Sequence, residues 1–515
     1  MKRFIIYFFL IVLKNYSFAQ FTLQWQKSIG GSNLEDAKSV KQTKDGGYIV
    51  CGNSDSNDFD FTGNHGVSDA CIMKLDQTGS LEWTKLLGGS NNDLANDIIQ
   101  TPDGGYIMVG KTYSDDGDVD GHHGGFDAWV VKLNNSGTVE WQKPLGGTGT
   151  DEARAIELTM DGGYILAART DSDDGDVDGT HNGTFDYWIV KLDSTGNIVW
   201  QKSLGGNNKD EIWSVRTTSD QGYIFCGESW SNDGDVSGAH GNIDIWVVKT
   251  DSLGTIEWQN ALGGSGADIG CTVEESVDGY YVTGLAGSTD GDITSHHGFI
   301  DGWVIKLDKN GEIVWQRALG GSASDWLFSG ILASDGSYLA AGITSSNDGD
   351  VFNNYGQKDL WVVKLDSSGE VSWQKCLGGS LGDGGSSISK TNDGGFILAG
   401  YSYSTDGDVT ENKGIQDIWV VKLSPESLGA ESPFSLIAAE PLEISPNPAR
   451  DLVYLNAPPL ERVSITDVNG KKVAGNLTLS SEGYLDVSFL KNGIYFLQGI
   501  TNSGKVYIGK VVKSE

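Results

Sequence analysis

The sequence predicts an all-β chain, a seven-bladed β-propeller followed by a small β-sandwich. Three observations carry this. The segment around Trp25 recurs at Trp83, Trp141, Trp200, Trp258, Trp315 and Trp373, 57 to 59 residues apart, and self-similarity at such a period marks a repeat architecture. Within each copy the apolar residues fall into four short runs bounded by Gly, Asp or Asn, with no sustained helical period. Finally, 72 Gly and 16 Trp against only 9 Pro suit many short strands joined by tight turns. Four strands per copy, seven copies and no helix point to a propeller; a β-solenoid, with its shorter rungs, is the runner-up.

The fourth copy defines the elements: strand a over Ile198–Leu204, b over Asp210–Thr217, c over Tyr223–Ser229 and d over Ile245–Lys249. Two links are tight. Asp-x-x-Gly (Asp193 to Gly196) joins d to the next a, and Asp-Gly-Gly (Asp103 to Gly105) joins b to c. Both are hairpin chemistry, with Gly supplying positive φ. The c–d link is the longest, so it is expected to cross between blades, giving a blade of order d-a-b-c with d nearest the axis. The ring would then close by pairing Ile418–Leu423 with the N-terminal strands between Phe21 and Ser54, which removes the edges an open array exposes.

Residues 1–19 read as a signal peptide: Lys2 and Arg3, an apolar run from Phe4 to Leu13, then Ser17-Phe18-Ala19 before Gln20. That run is well short of the ~20 residues needed to span a bilayer, and no later segment qualifies. The propeller is expected over 20–423, a Pro-containing linker over 424–441 and the sandwich over 442–515. A net charge of −34 argues against nucleic acid as a partner and fits solubility outside the cell, divalent cations or a cationic partner. The five cysteines are read as apolar filler. Cys51 and Cys226 share a position with Val109, Ala167 and Ala399, and Cys71 stands where six copies carry Trp; a Cys51–Cys71 bridge is the alternative.

Alternate connections of an up-and-down blade emerge on one face, so the longer a–b and c–d links should share a rim. Each a–b link ends in an acid: Glu35, Asp93, Asp151, Asp210, Asp268, Asp325 and Asp383. Every c–d link carries an Asp-x-Asp pair, and an Asp opens every strand d. In the second copy Asp116, Asp118, Asp120 and Asp127 fall at positions 1, 3, 5 and 12 of a twelve-residue segment with Gly121 at 6. Calcium takes six to eight oxygens, and such spacing folds several carboxylates around one ion. Asp174, Asp176, Asp178 and Asp186 in the third copy, and Asp233, Asp235 and Asp244 in the fourth, are the further candidates. The segment resembles an EF-hand loop and, in its setting, the calcium hairpins of integrin-type propellers. It departs from them in ending on Asp rather than Glu, in having no flanking helices, and in losing the position-6 Gly in copies five to seven. The other reading is that these aspartates cap turns by accepting backbone N–H groups. All seven histidines lie in the same link, where packing or hydrogen bonding between blades is expected rather than zinc binding or catalysis.

The C-terminal segment contains Leu442-Glu443-Ile444-Ser445-Pro446-Asn447-Pro448-Ala449, an Asn469-Gly470 turn between alternating apolar runs, Gly493-Ile494-Tyr495-Phe496-Leu497 and a final Gly509-Lys510-Val511-Val512-Lys513. These motifs resemble the type A sorting domain of the type IX (Por) secretion system of Bacteroidota. The resemblance implies Sec export, contact between residues 442–515 and the type IX machinery, removal of the domain, and release or attachment at the outer cell surface. In the repeat, Leu192 to Trp200 is similar to an element of quinoprotein propellers, and the double glycines are loosely kelch-like; neither carries an activity.

Seven near-identical copies favour a binding or adhesion propeller for a glycan or surface protein, because an active site normally breaks symmetry. The alternative is a glycoside hydrolase or lyase, whose paired carboxylates are abundant here, although uniform repetition singles out no catalytic residue. Departures from the repeat mark the candidate ligand site: Trp213, Trp230 and Trp326, whose indoles can stack on sugars if exposed, core packing being their default reading. Arg154, Arg169, Arg216 and Arg317 occupy non-equivalent positions, and the sequence shows no cluster of them fit to hold a carboxylate.

Overall fold

A computed structural model describes residues 21–178, 183–425, 440–456, 460–467, 472–477, 479–480, 483–501 and 506–514. The signal peptide, most of the linker, His181 and the Asn469-Gly470 turn lie outside the described residues. The chain divides into two compact units, one the repeat region through Glu426 and the other containing the C-terminal segment. Among the described residues no helix is long and apolar enough to cross a membrane.

The repeat region is a closed ring of seven four-stranded antiparallel sheets. Strand bounds match the sequence reading closely; in the fourth copy a, b and c fall at Ile198–Leu204, Asp210–Thr217 and Tyr223–Ser229, and d extends by one residue at each end, Asp244–Thr250. Blade order, however, is b-c-d-a from the axis outwards, not d-a-b-c. Each strand b touches the b strands of both neighbouring blades, so b lines the axis, and the a–b link crosses between blades. Length misled the sequence reading. Five residues such as 205–209 suffice for the crossing, whereas the c–d link is long because it folds back over that crossing and pins it. The ring closes by three strands plus one: Leu23–Ile29 pairs with Asp417–Leu423 as the outer strand of the seventh blade.

Adjacent blades bury their apolar faces against each other, as Cys226 and Val247 do with Val282 and Ile305. Six blades bury a strand-d Trp completely, and each indole N–H donates to a Gln on the neighbouring strand a, such as Trp129 to Gln142 at 2.8 Å. The first blade has Cys71 in place of Trp and Thr84 in place of that Gln, so indole and acceptor are lost together. At the rim, the strand-a Trp of one blade lies on the hairpin Gly of the next. A Cβ on Gly79 would sit 2.7 Å from the Trp25 ring, and its φ is +79°. Cys51, Cys71 and Cys226 are buried. Cys51 pairs across the sheet with Ile72 and Cys71 with Gly52, which puts the two thiols on opposite faces of the blade and rules out a bridge.

The C-terminal unit is a small β-sandwich of a five-stranded and a three-stranded sheet closed over Leu442, Val453, Leu455, Ile465, Leu485 and Leu497.

Candidate functional site: the loop face of the propeller

Consecutive strands are antiparallel, so both tight hairpins of every blade open on one face, and the a–b and c–d links open on the other. On this loop face the Asp-x-Asp pair braces the crossing. Asp116 Oδ1 accepts the Ser90 N–H at 2.7 Å, Asp118 Oδ2 accepts the Gly88 N–H at 3.2 Å, and the Asp118 N–H donates to Gly88 O at 2.9 Å. The residue between the two aspartates needs positive φ: Gly117 has φ +68°, and a Cβ there would lie 2.3 Å from Gly88 O. The first copy has Phe59 at this position, at φ 53°. The residue after the second Asp, such as Val119, plugs the link into the core.

The acid ending the crossing is saturated. Asp93 accepts from Ser114 Oγ at 2.7 Å, the Gly89 N–H at 2.7 Å and the Thr112 hydroxyl. The Asp opening strand d is not. Asp127 Oδ2 accepts the His123 N–H at 2.8 Å and meets His123 Nδ1 at 3.0 Å. Its Oδ1 is buried without a partner, as are the matching oxygens of Asp69, Asp244, Asp301, Asp359 and Asp417. Burial pushes the Asp127 carboxyl above the usual range. At the equivalent Asp359 burial, followed by the carboxylates of Asp383 and Asp408, pushes it up to about 6.

The metal candidates are therefore distributed as follows. Asp116, Asp174 and Asp233 hold the N–H groups of Ser90, Thr148 and Asn207 in the preceding crossings. Asp118, Asp176 and Asp235 hold those of Gly88, Gly146 and Gly205. Asp120 and Asp178 are exposed, while Asp127, Asp186 and Asp244 are buried at the start of strand d. Among the described residues no three His, Cys, Asp or Glu side chains form a ready-made metal cage.

Symmetry breaks in one sector. In blades two to four the inner ends of strands b and c carry Lys111, Glu152, Arg154, Arg169, Glu211 and Glu228, with Lys209 in the crossing between the last two blades. Contrary to the sequence reading, two of the arginines do cluster. Arg154 and Arg169 meet Glu152 at 3.0 and 2.8 Å, Lys111 meets it at 3.3 Å, and Arg169 also pairs with Glu211. Although Glu152 is buried, the charges of Arg154, Lys111 and Arg169 hold its carboxyl below the usual range. Every cation is backed by an aromatic face: Arg154 by Trp213 at 4.1 Å, Arg169 by Phe185 at 4.6 Å, Lys209 by Trp230 at 4.6 Å and Lys111 by Phe126 at 4.8 Å. Burial lowers Arg154 to about 10, and its Nε has no partner.

Of the three tryptophans singled out, Trp213 and Trp230 belong to this sector. Trp326 lies across the ring in blade six, edge-on to Phe328 and under Lys358. At the positions that are charged in blades three and four, blades five to seven carry Ile269, Leu285, Trp326, Ile343, Gly384 and Tyr401. The inner rim thus has a charged half and an apolar half. Reading across the seven copies at these rows would have exposed the cluster; reading the arginines by repeat position hid it, because Arg154 and Arg169 lie on different strands that pair side by side. Arg216 bridges Glu157 and Glu274 at 3.1 and 2.9 Å near the far end of strand b, Asp210–Thr217, away from this cluster in register.

A family described as the secretion system C-terminal sorting domain matches residues 443–514. The C-terminal unit is a type IX sorting domain, and the chain is cargo destined for the cell surface or for secretion. The regulatory protein FlaEY of Caulobacter vibrioides is 23% identical over 402 residues, 69% of this chain; this chain spans only 40% of that protein's length. Among solved structures, puromycin hydrolase is similar over 91% of this chain and 59% of its own, at 10% identity and a TM-score of 0.45. The Synechocystis apocarotenoid oxygenase is similar over 77% of this chain and 95% of its own, at 10% identity and a TM-score of 0.39. Likeness at these levels carries no activity to this chain.

Proposed function

We propose that the propeller, sent out of the cell by its type IX sorting domain, is a non-enzymatic binding module that grips a glycan on its loop face. The observation carrying this reading is the symmetry break: two equivalent rows, the second residue of strand b and the last but one of strand c, are charged except for Leu94 in blades two to four and carry Ile269, Leu285, Trp326, Ile343, Gly384 and Tyr401 across the ring. A pyranose offers a hydroxyl edge and an apolar C–H face. The cation-and-carboxylate cluster supplies donors and acceptors for the first, and Trp230, 41% exposed beneath Lys209, supplies a ring for the second. A catalytic reading has less support, since the carboxylates of this sector are held in ion pairs and those at the blade junctions recur in every blade. Calcium belongs to the same proposal, with Asp116, Asp118, Asp120 and their equivalents offering oxygens on the rim beside the ligand.

The test is a pull-down of the full chain with insoluble neutral, amino-sugar and uronate polysaccharides, with calcium or with chelator. Retention on one class, without release of reducing sugar and lost in Trp230→Ala, is expected. Equal retention of that variant, or progressive release of reducing ends, would overturn the reading.

A further inference from the structure

The blade junctions share one plan, and among the described residues the position four before the strand-d Asp is where they differ in charge; that difference marks a cation site. At each junction the strand-d Asp of one blade, the strand-b acid of the next and the second Asp of that next blade's Asp-x-Asp pair surround one glycine. At the ring closure these are Asp417, Glu35 and Asp60 around Gly30. There the residue four before the strand-d Asp is Lys413, whose ammonium pairs with Asp60 and lowers the charge beside Asp417. There the chain supplies a positive charge of its own, bonded to Asp60 rather than to the unpartnered Asp417 oxygen. Four further described junctions have a histidine at that place: His65, His123, His240 and His297. The junction between blades six and seven has Tyr355, whose phenol brings no positive charge; its N–H donates to Asp359 Oδ2 at 2.7 Å.

We propose that this junction binds one divalent cation through Asp359, Asp383 and Asp408. Asp359 is fully buried, and its Oδ1 has no partner. That oxygen and Asp383 Oδ2 both face Gly378, 2.6 and 2.8 Å from where a Cβ would stand, so they converge. Asp408 is the ligand free to swing in: half-buried, it holds the Gly378 N–H at 3.4 Å, the longest of the seven equivalent contacts. Lys358, next in sequence to Asp359, directs its ammonium over Trp326 instead. Ionised carboxylates only accept, so the charged neighbours Asp383 and Asp408 leave the free oxygen unsatisfied; a hard cation with oxygen ligands satisfies all three. This proposal is independent of the glycan reading, since Lys413 at the equivalent junction is its internal precedent.

The test counts calcium ions per full chain by equilibrium dialysis against CaCl2, with melting in chelator as a fold control. Tyr355→Lys, which copies the ring-closing junction, is expected to lose one bound ion and to melt higher than wild type in chelator. Lys413→Tyr is expected to gain one. An unchanged count in Tyr355→Lys would overturn the proposal, and so would a wild-type chain that holds no ion at millimolar CaCl2.

Discussion

The two faces of the propeller use the same carboxylate chemistry to opposite ends. On the hairpin face each Asp of the b–c turn is answered by the strand-d Lys: Lys74 with Asp45, Lys132 with Asp103, Lys249 with Asp220 and Lys422 with Asp393, all at 2.9 to 3.0 Å. Hydrogen bonds from Thr101 and Thr159, followed by contact with Lys132 and Lys191, hold Asp103 and Asp161 down at about 2. On the loop face the buried strand-d aspartates have no such partner, and burial pushes Asp69, Asp244 and Asp301 up. One face is neutralised within the fold and repeats almost without change. The other stores uncompensated negative charge and is where blades differ. A side chain that closes a charge account in every blade has no freedom left for recognition, so variation and binding collect where the account is open.

Removing a hairpin-face lysine should show the largest effect. Lys249 is buried and bonds Glu257 at 2.7 Å as well as Asp220. Its partners are about half exposed, so Lys249→Met should cost about 2 kcal/mol rather than the larger loss of a fully buried pair, read from urea unfolding. If the variant is as stable as wild type, the hairpin face is not held by its charges. A smaller change of opposite sign is expected on the loop face: Phe59→Gly relieves a left-handed backbone and should stabilise by about 1 kcal/mol, seen as a higher melting temperature. Smallest of all, Trp230→Ala should shift stability by less than about 0.5 kcal/mol while abolishing polysaccharide retention. A large loss of stability there would make Trp230 a packing residue and remove the functional distinction between the faces.

Much of this was legible in the residues. Period, strand bounds and the sharing of one rim by both acidic links follow from alternating apolar runs and turn chemistry. Blade register was not legible, because link length does not say whether a loop travels or folds back; the Gly-Gly that accepts the Asp-x-Asp brace was the missed signal. Also overlooked was the joint loss of Trp and Gln at Cys71 and Thr84, which puts strands d and a side by side. The charged sector stayed hidden for a different reason. Its members sit on strands b and c at unlike repeat positions, and only the cross-strand pairing of Glu152 with Arg169 brings them together.

The contrast between faces is tested most directly by the pH dependence of one pair of proteins in chelator, the wild type and Asp359→Asn. Asp359 has a folded value raised from 3.8 to about 6, so its favourable contribution is complete below pH 3.8 and is lost as pH rises through about 6. Asparagine mimics the protonated form. The variant should therefore melt higher than wild type at pH 7, with the gap closing towards pH 4. A gap that does not change with pH, or a variant that melts lower at pH 7, would contradict the claim that the loop face carries unanswered charge.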